Sequence, residues 1–102
     1  MKAIEEIIRS RRKCIVRAEK AGVFYGVISE YDGGTVEIRQ CRRIWYWDGA
    51  ASLSELAECG PKRDGNKFSV TVESMVVTGV SEIIPCTPEA VDNIDRVPVW
   101  RA

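Results

Sequence analysis

Hydrophobic and polar positions repeat with two different periods along the chain. Ile4, Ile7 and Ile8 recur at i, i+3 and i+4, which predicts a short amphipathic helix over residues 2–11. Glu5 and Glu6 stand in its first turn and Arg9, Arg11 and Arg12 in its last, the order that suits the helix dipole. A helix this short does not hold alone in water, so its isoleucine face must pack on the domain's own sheet or on a partner subunit. From Lys13 to Glu19 the period drops to two. Cys14, Val16 and Ala18 oppose Lys13, Arg17 and Glu19, with Ile15 out of pattern. Residues 23–31 are rich in β-branched and aromatic side chains and predict a strand. Gly26 inside that strand marks a bulge or a close backbone approach. Asp32-Gly33-Gly34 is a hairpin turn, and residues 35–40 return as a strand with Val36 and Ile38 on one face.

Past that point the alternation changes phase. A regular strand would carry Gln40 and Arg42 onto the face of Val36 and Ile38. A buried arginine is unfavourable, so a bulge or strand end is expected near Cys41. Beyond it, Ile44 and Tyr46 alternate with Arg43, Trp45 and Trp47, which puts the two tryptophans on one side. Ser52-Leu53-Ser54-Glu55 fits a capping box and opens a helix to about Glu58, stopped by Gly60 and Pro61. Residues 61–66 form a polar loop. Lys67 to Thr78 alternates as one long strand, Gly79 interrupts it, and residues 80–84 resume it. Thr87-Pro88-Glu89 starts a last helix running to about residue 95. Val97-Pro98-Val99-Trp100 is an extended tail. The pattern predicts a single α+β domain over residues 1–102: a twisted, mostly antiparallel sheet of about five strands with three short helices. Residues 1–13 form an N-terminal helical extension.

Composition changes this picture in three places. Fifteen basic and fifteen acidic residues balance, which argues against a duplex nucleic-acid binder. The charges are unevenly placed, however. Residues 1–20 hold seven basic against three acidic side chains, and residues 81–96 hold one against four. These are either solvated faces or an attraction between chain ends or subunits. No apolar run approaches the roughly 20 residues that cross a bilayer, and the N-terminus lacks the apolar core of a signal peptide. A cytoplasmic protein that does not enter membranes is expected. The chain has four cysteines and no histidine. A zinc site would need all four thiolates from separate segments, so reduced, buried, structural cysteines are expected and no metal or cofactor is implied.

Catalysis has little support. The commonest general base is missing, and no nucleophile elbow, P-loop or dinucleotide fingerprint occurs, so no catalytic residue is assigned. Binding has more. Arg42, Arg43, Trp45, Tyr46 and Trp47 crowd into one segment. Aromatic faces stack on bases, and guanidinium forks hold phosphate oxygens. Tyr25 and Phe24 on the neighbouring strand could extend the platform, and Arg63 and Lys62 on the polar loop could close over it. The candidate ligand-binding residues are therefore Arg42, Arg43, Trp45, Trp47, Tyr25 and Arg63. The competing reading makes the tryptophans core or subunit-interface residues. It makes the arginines salt-bridge partners of Asp48 or Glu37.

The run Cys41-Arg42-Arg43-Ile44-Trp45-Tyr46-Trp47-Asp48-Gly49-Ala50, followed by Ser52-Leu53-Ser54-Glu55-Leu56, resembles a family of small phage and prophage proteins with the signature R-R-I-W-x-W-x-G-A. Ala21-Gly22-Val23, Glu82-Ile83-Ile84-Pro85-Cys86 and the Val97 to Trp100 tail match it as well, so the resemblance covers about residues 16–102. It implies a phage origin rather than a mechanism. Compact phage accessory proteins without catalytic groups are often counter-defence factors. One such class resembles a sponge, a symmetric oligomer that captures nucleotide second messengers without cleaving them. By that analogy the expected function is a non-enzymatic homo-oligomer in the host cytoplasm. It would sequester a nucleotide-like anionic ligand, such as a cyclic nucleotide immune signal, in pockets between subunits. The alternatives are a protein-binding inhibitor of a host defence enzyme, or a structural phage component.

Overall fold

A computed structural model of the chain, which describes residues 2–101, is built on the central hairpin. Its elements run α1 (Lys2–Ser10), β1 (Lys13–Ala18), β2 (Gly22–Asp32), β3 (Thr35–Tyr46), α2 (Leu53–Cys59), β4 (Lys67–Phe68), β5 (Val72–Val77), β6 (Val80–Pro85) and α3 (Pro88–Asp95). The fold is α+β, with a six-stranded sheet in the order β4-β3-β2-β1-β6 and β5 paired to β3 beside β4. All the ladders between these strands are antiparallel.

β3 is long enough to serve two partners. Its first half pairs with β5, and its second half with β4. β5 then runs into β6 across only Thr78 and Gly79, yet β6 pairs with β1 at the other end of the path. The sheet must therefore roll up until its ends meet. Two backbone bonds mark the seam: Glu19 N–H to Gly79 O at 3.1 Å and Val80 N–H to Gly34 O at 2.9 Å.

The roll explains why Ile15 breaks the alternation of β1. Cys14, Val16, Ala18, Phe24, Ile28, Val36, Ile38, Cys41 and Val77 fill one core, covered at one side by Ile7 and Ile8 of α1. Ile15 faces a second core with Tyr25, Ile44 and Phe68, roofed by Leu56 and Ala57 of α2 and Ala90 and Ile94 of α3. A strand buried on both faces loses its period-two signature. Each fully buried isoleucine here contributes roughly 1.5–3 kcal/mol from removal of its surface from water.

The phase change in β3 is a bulge at Gln40. Tyr25 pairs with Arg42 and Val27 with Arg39, so Gly26 alone opposes both Gln40 and Cys41. Gly26 is the close approach expected from sequence. A Cβ there would lie 2.6 Å from Ile38 Cγ2 and 2.7 Å from Arg39 O.

The expected single strand over 67–78 is corrected to two. Ser69 still pairs with Arg43, giving its N–H to Arg43 O at 2.8 Å, while its hydroxyl accepts from Arg43 N–H at 2.7 Å. Cys41 next pairs with Val72. Val70 and Thr71 thus stand opposite Arg42 alone, which interrupts the ladder. The count becomes six strands rather than about five.

Helix ends follow the capping signals. Ser52 Oγ accepts from Glu55 N–H, and the Glu55 carboxylate reaches back to Ala51 N–H, one residue before the cap. Thr87 caps α3 by accepting from Ala90 N–H. The tail forms a parallel bridge, Val99 to Phe68, with Trp100 N–H donating to Phe68 O at 2.9 Å. Among the described residues the uneven charges meet where the Lys13 ammonium donates to both Asp95 oxygens at 3.1 Å. No helix among the described residues is long and apolar enough to cross a membrane.

Candidate functional site

Arg42 is buried, only 6% exposed, which corrects the expectation that an arginine would avoid the interior. The interrupted ladder supplies the reason. Arg42 pairs with Tyr25 on one edge, but on the other the ladder is interrupted, and the Ser69 carbonyl accepts from Arg42 Nε at 2.9 Å. Nη1 donates to Ile94 O at 3.2 Å, at the end of α3, and the guanidinium lies 5.1 Å from the centre of the Phe68 ring. Burial lowers the Arg42 pKa and the nearby Asp95 carboxylate opposes that shift. Nη2 has no hydrogen-bond partner among the described residues. The side chain is thus a strut between β3, the 69–71 break and α3.

Tyr25 also points inward. It is buried in the second core, and its hydroxyl donates to Asp95 Oδ1 at 2.9 Å. Burial raises its pKa first, and the hydrogen bond to Asp95 adds to the rise. With Lys13 Nζ over its ring at 5.5 Å, Tyr25 offers no free face for stacking. Trp47 is half-buried against the same core, its indole N–H donating to Ala50 O at 3.2 Å.

The remaining candidates face elsewhere. Arg43 lies over Phe24, 4.9 Å from the ring centre, and Nη1 donates to Ala21 O at 3.2 Å. Arg63 is exposed on the 61–66 loop and pairs with Asp48 at 3.5 Å. An ion pair that open to solvent adds little stability. The anticipated partners Asp48 and Glu37 are thus taken by Arg63 and Arg39, not by Arg42 or Arg43. The six residues do not converge on one pocket. Arg42, Tyr25 and Trp47 serve packing, Arg63 belongs to a loop, and Trp45 and Arg43 alternate with Ile44 on the face turned away from the second core.

Trp45 acquires a neighbour that the sequence did not suggest. Its ring centre is 5.8 Å from that of Trp100, with the planes at 67°, an edge-to-face pair. Trp45 is 54% exposed and Trp100 42%. Lys67 Nζ sits 5.1 Å over the Trp100 ring. The exposed Tyr46 follows Trp45 in the chain. The signal for Trp100 lay in the tail's extended pattern, but its partner is set by the Val99–Phe68 bridge between segments 31 positions apart.

No chemistry-bearing cluster accompanies this face. Among the described residues no group of histidine, cysteine, aspartate or glutamate is arranged to hold a metal. Cys14, Cys41 and Cys86 are buried free thiols and Cys59 is partly exposed. Burial pushes Cys14 and Cys41 up from the ordinary 9.0 to about 11 and Cys86 to about 12. In the unfolded chain the same thiols ionise near pH 9. Stability is therefore fully present below pH 9 and is lost as pH rises toward 12, because the unfolded state releases protons first. At pH 8 only Cys59 should react promptly with a disulfide reagent. Four fast thiols, or no loss of melting temperature by pH 11, would contradict this burial.

No curated protein and no solved structure matches the chain. Residues 11–94 match the Domain of unknown function (DUF6948). That span holds all six strands, α2 and the 42–50 run, and leaves α1 and Trp100 outside it. The chain belongs to the DUF6948 family.

Proposed function

We propose that this protein is a non-enzymatic recognition module that binds a partner protein through the surface centred on Trp45 and Trp100. One observation carries the reading: two tryptophans stand together, about half exposed, on an open face with a lysine over one of them. Exposed aromatics of this kind dominate protein–protein hot spots. Nucleotide capture by the same segment has less support. Arg42 is committed to backbone carbonyls, Arg43 to Ala21 and Phe24, and rings inclined at 67° do not form a parallel slot for a base. The partner surface that fits is an apolar centre with an acidic group at its rim, facing Lys67. In the phage setting implied by the resemblance, the partner is a host protein and the role is counter-defence by occupancy rather than by catalysis.

The test uses Trp45→Ser and Trp100→Ser. Losing the ring pair costs at most about 1.5 kcal/mol of fold stability. Losing a hot spot costs about 2 kcal/mol or more of binding. A stoichiometric complex formed by the wild type in host cells, purified and measured by calorimetry, should weaken at least about tenfold in either variant. Undiminished affinity in the folded double variant would refute the assignment.

A further inference from the structure

Only two non-glycine residues among those described hold positive φ: Arg11 at 56° and Gln40 at 52°. Arg11 directly follows α1, and Gln40 is the extra residue of the β3 bulge. At both places the left-handed conformation is one that glycine adopts without strain, and other residues adopt at a cost. The sequence keeps a side chain at each. Both residues line one cavity of about 520 Å³ between α1 and the β2–β3 hairpin. That volume lies within the range of small-molecule sites.

The cavity has two kinds of wall. Ile8 of α1 and Val27 and Ile28 of β2 give it an aliphatic side. Arg11, Arg39 and Gln40 give it donors, and Ser29 lies between them. Ser29 is already engaged, donating to Glu37 Oε1 at 2.8 Å. Glu37 also accepts from Ser74 and pairs with one edge of Arg39 at 3.4 Å. These hydrogen bonds hold the Glu37 carboxyl below its usual pKa, so it stays charged beside Arg39. The other donors of Arg39 remain, and Arg11 makes no ion pair among the described residues. Two guanidiniums against one carboxylate leave a positive surplus.

We propose that this cavity binds an organic phosphate monoester, its phosphate held by Arg11, Arg39 and Gln40 and its apolar group laid on Ile8, Val27 and Ile28. Three separate donor groups suit three terminal oxygens better than the two of a carboxylate. The site gives α1 a purpose beyond covering the first core, since its isoleucine face supplies one wall. It shares no residue with the Trp45–Trp100 surface, and the two assignments stand or fall separately.

The experiment is a titration of the full chain with phenyl phosphate and, separately, inorganic phosphate, followed by backbone amide shifts. Phenyl phosphate should shift the amides of residues 27–29 and 39–41 saturably, with inorganic phosphate binding at least fivefold more weakly. Gln40→Gly and Arg11→Gly should each weaken phenyl phosphate at least fivefold. Because glycine relieves the backbone, each should also raise Tm, by about 3 °C. Arg9→Ala removes the same charge outside the cavity and should change affinity less than twofold. The proposal is overturned by any of four results: no saturable shift, equal binding of the two phosphates, wild-type affinity in the glycine variants, or an equal loss in Arg9→Ala. A lower Tm in Gln40→Gly would also overturn it, by assigning the side chain to the bulge itself.

Discussion

Arg42→Ala should lower the free energy of unfolding by about 3 kcal/mol or more, a large share of the 5–15 kcal/mol typical of a domain. Truncation strands the Ser69 carbonyl and opens a void over the Phe68 ring, while Ile94 O keeps its bond from Val97 N–H at 3.0 Å. The orphaned Ser69 carbonyl costs about 1–3 kcal/mol, and the void left by the guanidinium and its stem adds to that. Arg42→Lys separates charge from geometry. An ammonium keeps the positive charge near Asp95, but a single donor point does not span two carbonyls that a fork reaches together. It should recover less than half of the loss. Urea unfolding with an unchanged slope measures both. A loss under about 1 kcal/mol in Arg42→Ala would mean that the Ser69 carbonyl is not dependent on the guanidinium.

Gly49→Ala should cost about 3 kcal/mol, from two sources that add. The residue sits at φ 86°, where a Cβ is strained. That Cβ would also lie 2.5 Å from Lys62 N and 2.7 Å from Arg63 N, and backbone atoms have no rotamer by which to retreat. The clash falls where the 42–50 run docks on the 61–66 loop, beside the bond from Asp48 N–H to Asn66 Oδ1 at 2.8 Å. Loosening that contact should speed tryptic cleavage after Lys62 and Arg63 severalfold under native conditions. Unchanged cleavage and an unchanged urea midpoint would show that the loop simply moves aside.

What could be read from the sequence was local. The hairpin turn, the caps at Ser52 and Thr87, and the stop at Gly60 each depend on residues within four positions. The bulge near Cys41 was legible because it broke a period. What escaped depends on distant partners. Arg42 is buried because Ser69 and Ile94, 27 and 52 residues away, offer carbonyls to it. The alternation over residues 67–78 changes phase where the ladder is interrupted at Val70 and Thr71, so Val70 and Val76 are exposed while Met75 and Val77 meet the first core. Trp45 and Trp47 have the same parity but different fates. β3 ends at Tyr46, Trp47 folds back under α2, and Trp45 is left to meet Trp100. Gln40 reads as an ordinary polar residue, and its left-handed backbone is visible only once Gly26 is seen opposite two residues.

The ladder between β1 and β6 bears on how the chain reaches this state. Cys14 pairs with Pro85 and Arg17 with Glu82, so the first strand waits for almost the last segment to arrive. The central hairpin can zip early, but closing the roll requires a long excursion of chain to be ordered before those bonds repay it. Folding should therefore be slow for a domain this small, in milliseconds to seconds rather than microseconds. Until β6 docks, one edge of β1 and the apolar lining beneath it stand open, and that interval is when the nascent chain is most exposed to aggregation.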